Sequence, residues 1–158
     1  MRAAFPEKRL ANLLGEAAYV PTQTTVNERL CLFEEAHRSR QVGRFLEIGS
    51  YLGASTAILA RVMYWHGKQD GKSRVYCVDT WANDAMSEGK WDTWTRFQET
   101  IAPWREVVVP VRGLSTQVAL PTTEPFDLVF IDGDHSYQGC RADVDRFAGL
   151  VRPGGRAG

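Results

Sequence analysis

Residues 44–55 read Arg44-Phe-Leu-Glu-Ile-Gly-Ser-Tyr-Leu-Gly-Ala-Ser55, a short apolar run that closes on two glycines. The run has the length of a β-strand, and residues 55–66 favour a helix that Gly67 is expected to end. Glycines allow the backbone to approach a ligand closely, and the first turn of a helix offers unpaired N–H groups to an anion. The stretch therefore predicts a strand, a ligand-binding turn and a helix in succession.

The same alternation continues along the chain. Strands are predicted at residues 74–79, 106–111 and 126–132, and helices at residues 92–102 and 136–151. The last helix is expected to end before Pro153-Gly154-Gly155. Alternating strands and helices imply a parallel sheet with right-handed crossovers. We expect an α/β, Rossmann-like doubly wound sheet of strand order 3-2-1-4, with the usual C-terminal strands missing or replaced by a short fifth strand.

The domain organisation follows from the same pattern. Thr25-Val-Asn-Glu28 has the spacing of a capping box and predicts a helix over residues 26–40. We interpret residues 1–158 as one domain, with an N-terminal helical segment, 1–40, and a Rossmann-like core, 41–158, that is incomplete. An uncovered fourth strand would offer an edge for a homo-oligomer.

Composition excludes several classes of protein. Apolar residues make up 44% and charged residues 24% of the chain, which is typical of a folded domain. The net charge is zero and the basic residues are scattered, so we expect no nucleic acid partner. Charged residues interrupt the first 19 residues, so we expect no membrane partner and a cytoplasmic protein. Cys31, Cys77 and Cys140 form no CxxC pair and are expected to be small buried residues.

Glu47 occupies the place where a dinucleotide-binding fingerprint has its first glycine. A carboxylate there would repel the phosphates of a dinucleotide, but it suits a cofactor with an ammonium and a sulfonium. A nicotinamide-dependent oxidoreductase is therefore the less favoured alternative. Ser55 and the helix N-terminus suit the carboxylate of such a cofactor.

Further candidates follow the second and fourth strands. Asp79 ends the second strand, where a carboxylate can accept hydrogen bonds from a ribose diol, although it could instead cap a turn. Thr80 and Trp81 would wall the nucleoside, with core packing as the alternative for Trp81. Asp132 and His135 lie in Ile131-Asp-Gly-Asp-His-Ser-Tyr137, at the strand edge where open parallel sheets bind ligands. The alternative is that Asp134 and His135 only cap the next helix.

The pattern ExGxYxGxS resembles motif I of class I S-adenosylmethionine-dependent methyltransferases, especially the catechol and caffeoyl types. Over roughly residues 40–155 the chain is similar to the small-molecule O-methyltransferase branch, which includes macrocin O-methyltransferases and cephalosporin hydroxylase-like proteins. The stretches that carry this similarity are FLEIGSYLGAST, FDLVFIDGDHSY and LVRPGG. The resemblance implies methyl transfer from S-adenosylmethionine to a hydroxyl of a small molecule, by a chain truncated at its C-terminus. The cofactor-binding residues that it implies are Glu47, Gly49, Ser50, Tyr51, Gly53, Ser55, Asp79, Thr80, Trp81, Ser115 and Asp132.

The resemblance also assigns chemistry to the fourth strand. Asp132 would help to bind a divalent cation such as Mg²⁺, and His135 would be the general base where catechol-type enzymes have lysine. Asp132 and His135 are thus the predicted catalytic pair. Ser115 would contact the adenine side of the cofactor, with a helix N-cap as its alternative. A catalytically silent cofactor-binding fragment or subunit remains the main alternative function.

Overall fold

A parallel sheet with helices on both faces forms the framework of the computed structural model, which describes residues 4–83 and 89–158. In chain order its elements are α1 (Ala4–Leu14), α2 (Val26–Ser39), β1 (Arg44–Ile48), α3 (Ala54–Asp70), β2 (Arg74–Asp79), α4 (Trp94–Ile101), β3 (Val108–Arg112), β4 (Phe126–Ile131), α5 (Tyr137–Phe147) and β5 (Val151–Ala157). Short 3₁₀ turns cover Gly15–Tyr19, Ala102–Trp104 and Ala148–Leu150. No helix in these two ranges combines the length and apolar character that crossing a membrane requires.

The sheet has the order β3-β2-β1-β4-β5, and all of its paired strands are parallel. Phe45 of the central strand β1 pairs with Val75 on one side and with Leu128 on the other. The predicted Rossmann-like α/β fold and the order 3-2-1-4 are confirmed. The fourth strand, however, is not uncovered, because β5 lies beside it.

The end predicted for the helix over residues 136–151 is wrong. It stops at Phe147, and the chain then continues as β5. Phe126 pairs with Val151 and Leu128 with Arg156, so the residues 152–155 face the single residue Asp127. Pro153 and the two glycines thus form a bulge within the strand instead of ending the fold. An edge for self-association would belong to β3 or β5, not to β4.

Other boundaries depend on local chemistry. Thr25 and Glu28 form the predicted reciprocal capping box, and α2 ends one residue before the predicted end. The helix α3 continues past Gly67 to Asp70, so the predicted stop at that glycine is wrong. A glycine inside a helix costs only about 1 kcal/mol, which an apolar, well-packed helix such as α3 offsets.

The core lies on both faces of the sheet. One face packs Phe45 and Val75 against α1 to α4, and the other packs Leu46 and Ile48 of β1 against Phe147 of α5. Alternate residues of β1 are therefore buried on opposite sides, as a central parallel strand requires. Of the three cysteines, only Cys77 is buried, and the expectation of burial is wrong for Cys31 and Cys140.

A buried carboxylate joins three segments of the chain at the amino end of β1 and β4. The carboxylate of Asp127 in β4 is fully buried and accepts hydrogen bonds from the backbone N–H groups of Gln41 and Gly43, both at 2.8 Å, and of Val42. It also pairs with the guanidinium of Arg152, which donates to the Ser39 carbonyl oxygen at 3.1 Å. Asp127 thus connects the turn before β1, the strand β4 and the bulge of β5.

Candidate active site

The turn between β1 and α3 depends on the conformation of Gly49 and on hydrogen bonds to the carboxylate of Asp79. Gly49 has φ 87°, and a Cβ added there would overlap the carbonyl oxygen of Asp132. One oxygen of Asp79 accepts the backbone N–H groups of Ser50 and Tyr51 at 2.8 Å, and the other accepts that of Trp81 at 2.6 Å. Asp79 therefore has the turn-capping role that the sequence reading left as the alternative, while its carboxylate still faces a cavity.

Two adjoining cavities lie beyond the carboxyl ends of β1, β2 and β4, the edge where open parallel sheets bind ligands. The first, of about 330 Å³, we call the inner cavity, and the second, of about 260 Å³, the outer cavity. The inner cavity is lined by Ile48, Gly49, Tyr51, Val78, Asp79, Thr80, Asn83, Thr93, Gly113, Leu114, Ser115, Thr116, Asp132, Gly133, Asp134, Gly139 and Asp143. The outer cavity is lined by Thr22, Gln23, Thr24, Glu28, Gly49, Ser50, Tyr51, Leu52, Ala54, Ser55, Asp132 and His135.

Three residues, Gly49, Tyr51 and Asp132, line both cavities and form what we call the seam. The structure brings the predicted nucleoside residues Asp79, Thr80 and Ser115 to the inner cavity. It brings Ser50 and Ser55 to the outer cavity. A ligand that contacts both groups of residues must cross the seam.

Glu47 does not reach either cavity. Its side chain is fully buried, and one of its oxygens accepts hydrogen bonds from the hydroxyls of Ser50, at 2.7 Å, and Thr56. The other oxygen has no partner among the described residues. Burial raises the pKa of Glu47 above its ordinary value, although the neighbouring hydroxyls oppose the rise. Glu47 therefore stabilises the glycine turn through buried hydrogen bonds and does not face a ligand.

Gly53 and Trp81 also lie outside the lining of both cavities. A Cβ on Gly53 would come within 3.2 Å of the side chains of Phe97 and Thr100, so this glycine lets α4 pack closely. Trp81 is fully buried, with ring centroids 4.7 Å from those of Trp94 and Phe97. The structure thus gives Trp81 the core-packing role that was its alternative.

Asp132 and His135 form a pair at the outer cavity. The His135 Nε2 lies 3.4 Å from Asp132 Oδ1, with 66% of the imidazole side chain and 34% of the carboxylate side chain exposed. Burial raises the pKa of Asp132, the imidazole of His135 opposes the rise, and the negative charge of Glu28 adds to it. The arrangement places a proton acceptor beside a carboxylate at the mouth of the site.

Ser136 and Asp134, and not His135, make the hydrogen bonds that cap the next helix. Ser136 accepts the backbone N–H of Gly139 as the N-cap of α5, and Asp134 accepts the backbone N–H of Ser136 at 2.8 Å. Asp134 therefore has the local capping role that was considered for it, whereas His135 faces Asp132 instead. Residues 114–118 form a turn rather than the helix considered for Ser115.

Several lining residues were missed by the sequence reading. Thr22, Gln23, Thr24 and Glu28 come from the N-terminal helical segment, where the capping box was interpreted only as a helix signal. Asn83, Thr93 and Asp143 line the inner cavity, and each is at most 5% exposed. Each also has a buried polar atom without a partner in the described ranges: Asn83 Oδ1, Thr93 Oγ1 and Asp143 Oδ1. Such atoms fit a polar occupant.

The predicted metal role of Asp132 finds no ligand cluster around it. Among residues 4–83 and 89–158, no group of three or more histidine, cysteine, aspartate and glutamate side chains is arranged to hold a metal ion. Mg²⁺ prefers six oxygen ligands, and one carboxylate is far from that set. The described residues around Asp132 therefore do not provide a ligand set that fits Mg²⁺.

A family model described as a methyltransferase domain matches residues 46–156, well over half of the chain. The chain belongs to this methyltransferase family. The match includes the glycine turn, Asp79 and the Asp132–His135 pair of this methyltransferase domain, but not α1, α2 or the N-terminal residues that line the outer cavity.

Solved methyltransferases share the fold of this methyltransferase domain at low sequence identity. TomG, the O-methyltransferase from Streptomyces achromogenes involved in tomaymycin synthesis, was solved with S-adenosylmethionine and is 20% identical, with TM-score 0.64 over 96% of this chain and 63% of that one. The O-methyltransferase from Bacillus cereus with S-adenosylhomocysteine is 22% identical, with TM-score 0.62 over 94% and 62%. The S-adenosylhomocysteine-bound Podospora anserina methyltransferase PaMTH1 is 18% identical, with TM-score 0.61 over 98% and 65%. The chain thus spans less than two thirds of the length of each of these structures.

Proposed function

We propose that this methyltransferase domain transfers the methyl group of S-adenosylmethionine to a hydroxyl of a small molecule in the cytoplasm. The observation that carries the proposal is the pair of cavities joined at Gly49, Tyr51 and Asp132. One cavity suits a nucleoside and the other an amino acid, and S-adenosylmethionine has these two parts in one molecule. The cofactors bound to TomG and to the Bacillus cereus enzyme support this choice.

The residues on the cavity walls define how the cofactor would be held. Asp79, Thr80 and Ser115 would contact the nucleoside in the inner cavity. The N-terminus of α3 and Ser55 would hold the carboxylate of the amino-acid part in the outer cavity. Because Glu47 is sequestered inside the turn, we assign the ammonium to the carboxylates that do line the outer cavity, Glu28 and Asp132.

The reaction needs only modest help from the protein, because the cofactor supplies a methyl group already activated on a sulfonium. Orienting the acceptor hydroxyl and removing its proton are the remaining tasks. His135 is exposed enough to meet the acceptor and can take the hydroxyl proton on a ring nitrogen. The neighbouring Asp132 carboxylate stabilises the resulting imidazolium.

Calorimetric titration of the chain tests the proposal. S-adenosylmethionine and S-adenosylhomocysteine are expected to bind with micromolar dissociation constants, and NADH is expected not to bind. Titrations with and without Mg²⁺ decide whether a metal takes part. A folded chain that binds neither adenosyl compound would overturn the proposal, and NADH binding alone would favour an oxidoreductase.

A variant separates binding from catalysis. His135→Gln is expected to keep cofactor affinity within about two-fold but to slow methyl transfer by about 100-fold or more, the usual contribution of a general base. Single-turnover transfer of a labelled methyl group to a panel of hydroxylated small molecules measures it. Equal transfer rates would leave His135 without a catalytic role.

A cofactor-binding module without turnover is the second candidate. The outer cavity, at about 260 Å³, would have to hold the amino-acid part of the cofactor as well as the acceptor. It leaves little room for an acceptor beside the amino-acid part of the cofactor. Tight binding of S-adenosylmethionine with no transfer to any acceptor, or to water, would favour this candidate.

A further inference from the structure

The walls of the two cavities have an unbalanced charge. Their carboxyl groups are those of Glu28, Asp79, Asp132, Asp134 and Asp143, whereas no lysine or arginine lines either cavity in the described part of the chain. Among the described lining residues, the imidazole of His135 is the one basic side chain. The field inside the site therefore favours positive ligands.

Two of these carboxyl groups are fixed on the cavity walls. Asp143 is 2% exposed on the wall of the inner cavity, and its Oδ1 has no partner among the described residues. Glu28 is held at the outer cavity by the backbone N–H of Thr25 at 2.6 Å and by its hydroxyl at 2.8 Å. These two hydrogen bonds lower the pKa of Glu28, so it stays ionised.

The charge that changes during methyl transfer falls at the seam. In S-adenosylmethionine the sulfur joins the nucleoside to the amino-acid chain. If these parts occupy the inner and the outer cavity, the sulfur lies where the cavities meet, at Gly49, Tyr51 and Asp132. Loss of the methyl group converts a cationic sulfonium into a neutral thioether, and the ammonium and carboxylate are unchanged.

We propose that Glu28 and Asp132 make the site selective for the sulfonium, so that S-adenosylmethionine binds more tightly than S-adenosylhomocysteine and the product leaves readily. This inference rests on the proposed cofactor. Two carboxylates on the wall beside the sulfur, Glu28 exposed and Asp132 partly buried, correspond to a preference of about ten-fold. The preference is expected to fall as salt screens the exposed charges.

The test compares the dissociation constants of S-adenosylmethionine and S-adenosylhomocysteine by calorimetry at low and high ionic strength. Glu28→Gln removes one charge and keeps the helix, because glutamine also serves in a capping box. The matched control is Glu106→Gln, the same change at an exposed residue before the opposite, amino end of β3.

The wild-type chain is expected to bind S-adenosylmethionine about ten-fold more tightly at low salt. Glu28→Gln is expected to weaken both compounds, because both carry the ammonium, but to weaken S-adenosylmethionine more and so reduce the ratio about three-fold. Glu106→Gln is expected to leave the ratio unchanged. Equal or tighter binding of S-adenosylhomocysteine to the wild type, or a ratio unaffected by Glu28→Gln, would overturn the inference and leave the proposed function intact. Failure of both compounds to bind would instead remove the proposed function.

Discussion

Replacing Asp127 with asparagine would remove the buried charge that joins three segments of the chain. The carboxylate now accepts the N–H groups of residues 41–43 and pairs with Arg152. Asparagine has the same shape, but its NH₂ group would face N–H donors or the guanidinium. Arg152 would then lack a charge partner at a site where only 11% of its side chain is exposed.

The magnitude follows from the burial of both groups. Removing one member of a buried ion pair typically costs about 3–5 kcal/mol, because the other charge is left uncompensated. A domain of this size has a total free energy of unfolding of about 5–15 kcal/mol. We therefore expect Asp127→Asn to lose about 3 kcal/mol or more and to expose the β4–β5 pairing to early unfolding.

Urea denaturation followed by circular dichroism measures the loss, with Asp145→Asn on the exposed side of α5 as the control. Burial alone would raise the pKa of Asp127, but Arg152 and the N–H groups of residues 41–43 outweigh it and hold the pKa below its ordinary value. The stabilisation is therefore complete above the unfolded-state pKa of about 3.9 and is lost as the pH falls through the lower folded-state value. The difference between wild type and variant should shrink below about pH 4. A loss under about 1 kcal/mol, or a difference independent of pH, would refute this reasoning.

Three further substitutions test the turn. Glu47→Gln removes a buried carboxyl group but keeps an acceptor for Ser50. The free energy of unfolding is therefore expected to stay the same or to rise by up to about 1 kcal/mol. A clear loss of stability in urea denaturation would contradict this. Gly49→Ala is expected to prevent folding or cost more than about 3 kcal/mol, whereas Gly71→Ala, at φ 63° with open space around it, should cost about 1 kcal/mol. Asp79→Ala releases three backbone N–H groups and a cavity-wall acceptor, so S-adenosylhomocysteine binding should weaken about ten-fold or more; unchanged affinity would exclude Asp79 from the site.

The parts of the fold that depend on local chemistry were predictable from the sequence. The capping box of Thr25 and Glu28 and the apolar run of β4 identify their elements because neighbours in the chain decide them. A short fifth strand was left open by the sequence, but it was not placed at residues 151–157, because Pro153 and the glycines after it resemble a stop. Their place in a bulge is decided by pairing with β4, across the sheet, which no local pattern reports.

The candidate site divides in the same way. The sequence pointed to Asp79 and Asp132 because they lie at the ends of strands, and carboxyl ends of parallel strands meet at one edge. Ser115 was predicted only from the resemblance to catechol-type methyltransferases. It did not indicate that Glu47 turns inward, since a side chain at that strand end can face a ligand or a neighbouring hydroxyl. Nor did it indicate Glu28, which reaches the outer cavity only through the packing of α2 beside α3.

The contact between Tyr51 and Trp91 allows ligand binding to be followed by intrinsic tryptophan fluorescence. The ring of Trp91 is 43% exposed and meets that of Tyr51 edge-on, with centroids 6.0 Å apart. Tyr51 lies on the seam, so an occupant there displaces water from the neighbourhood of this indole, while the indoles of Trp81 and Trp104 stay buried in the core. Trp65, 46% exposed, also emits in the red part of the tryptophan spectrum, so occupancy is followed without a label as the difference between the wild-type emission and that of a Trp91→Phe chain.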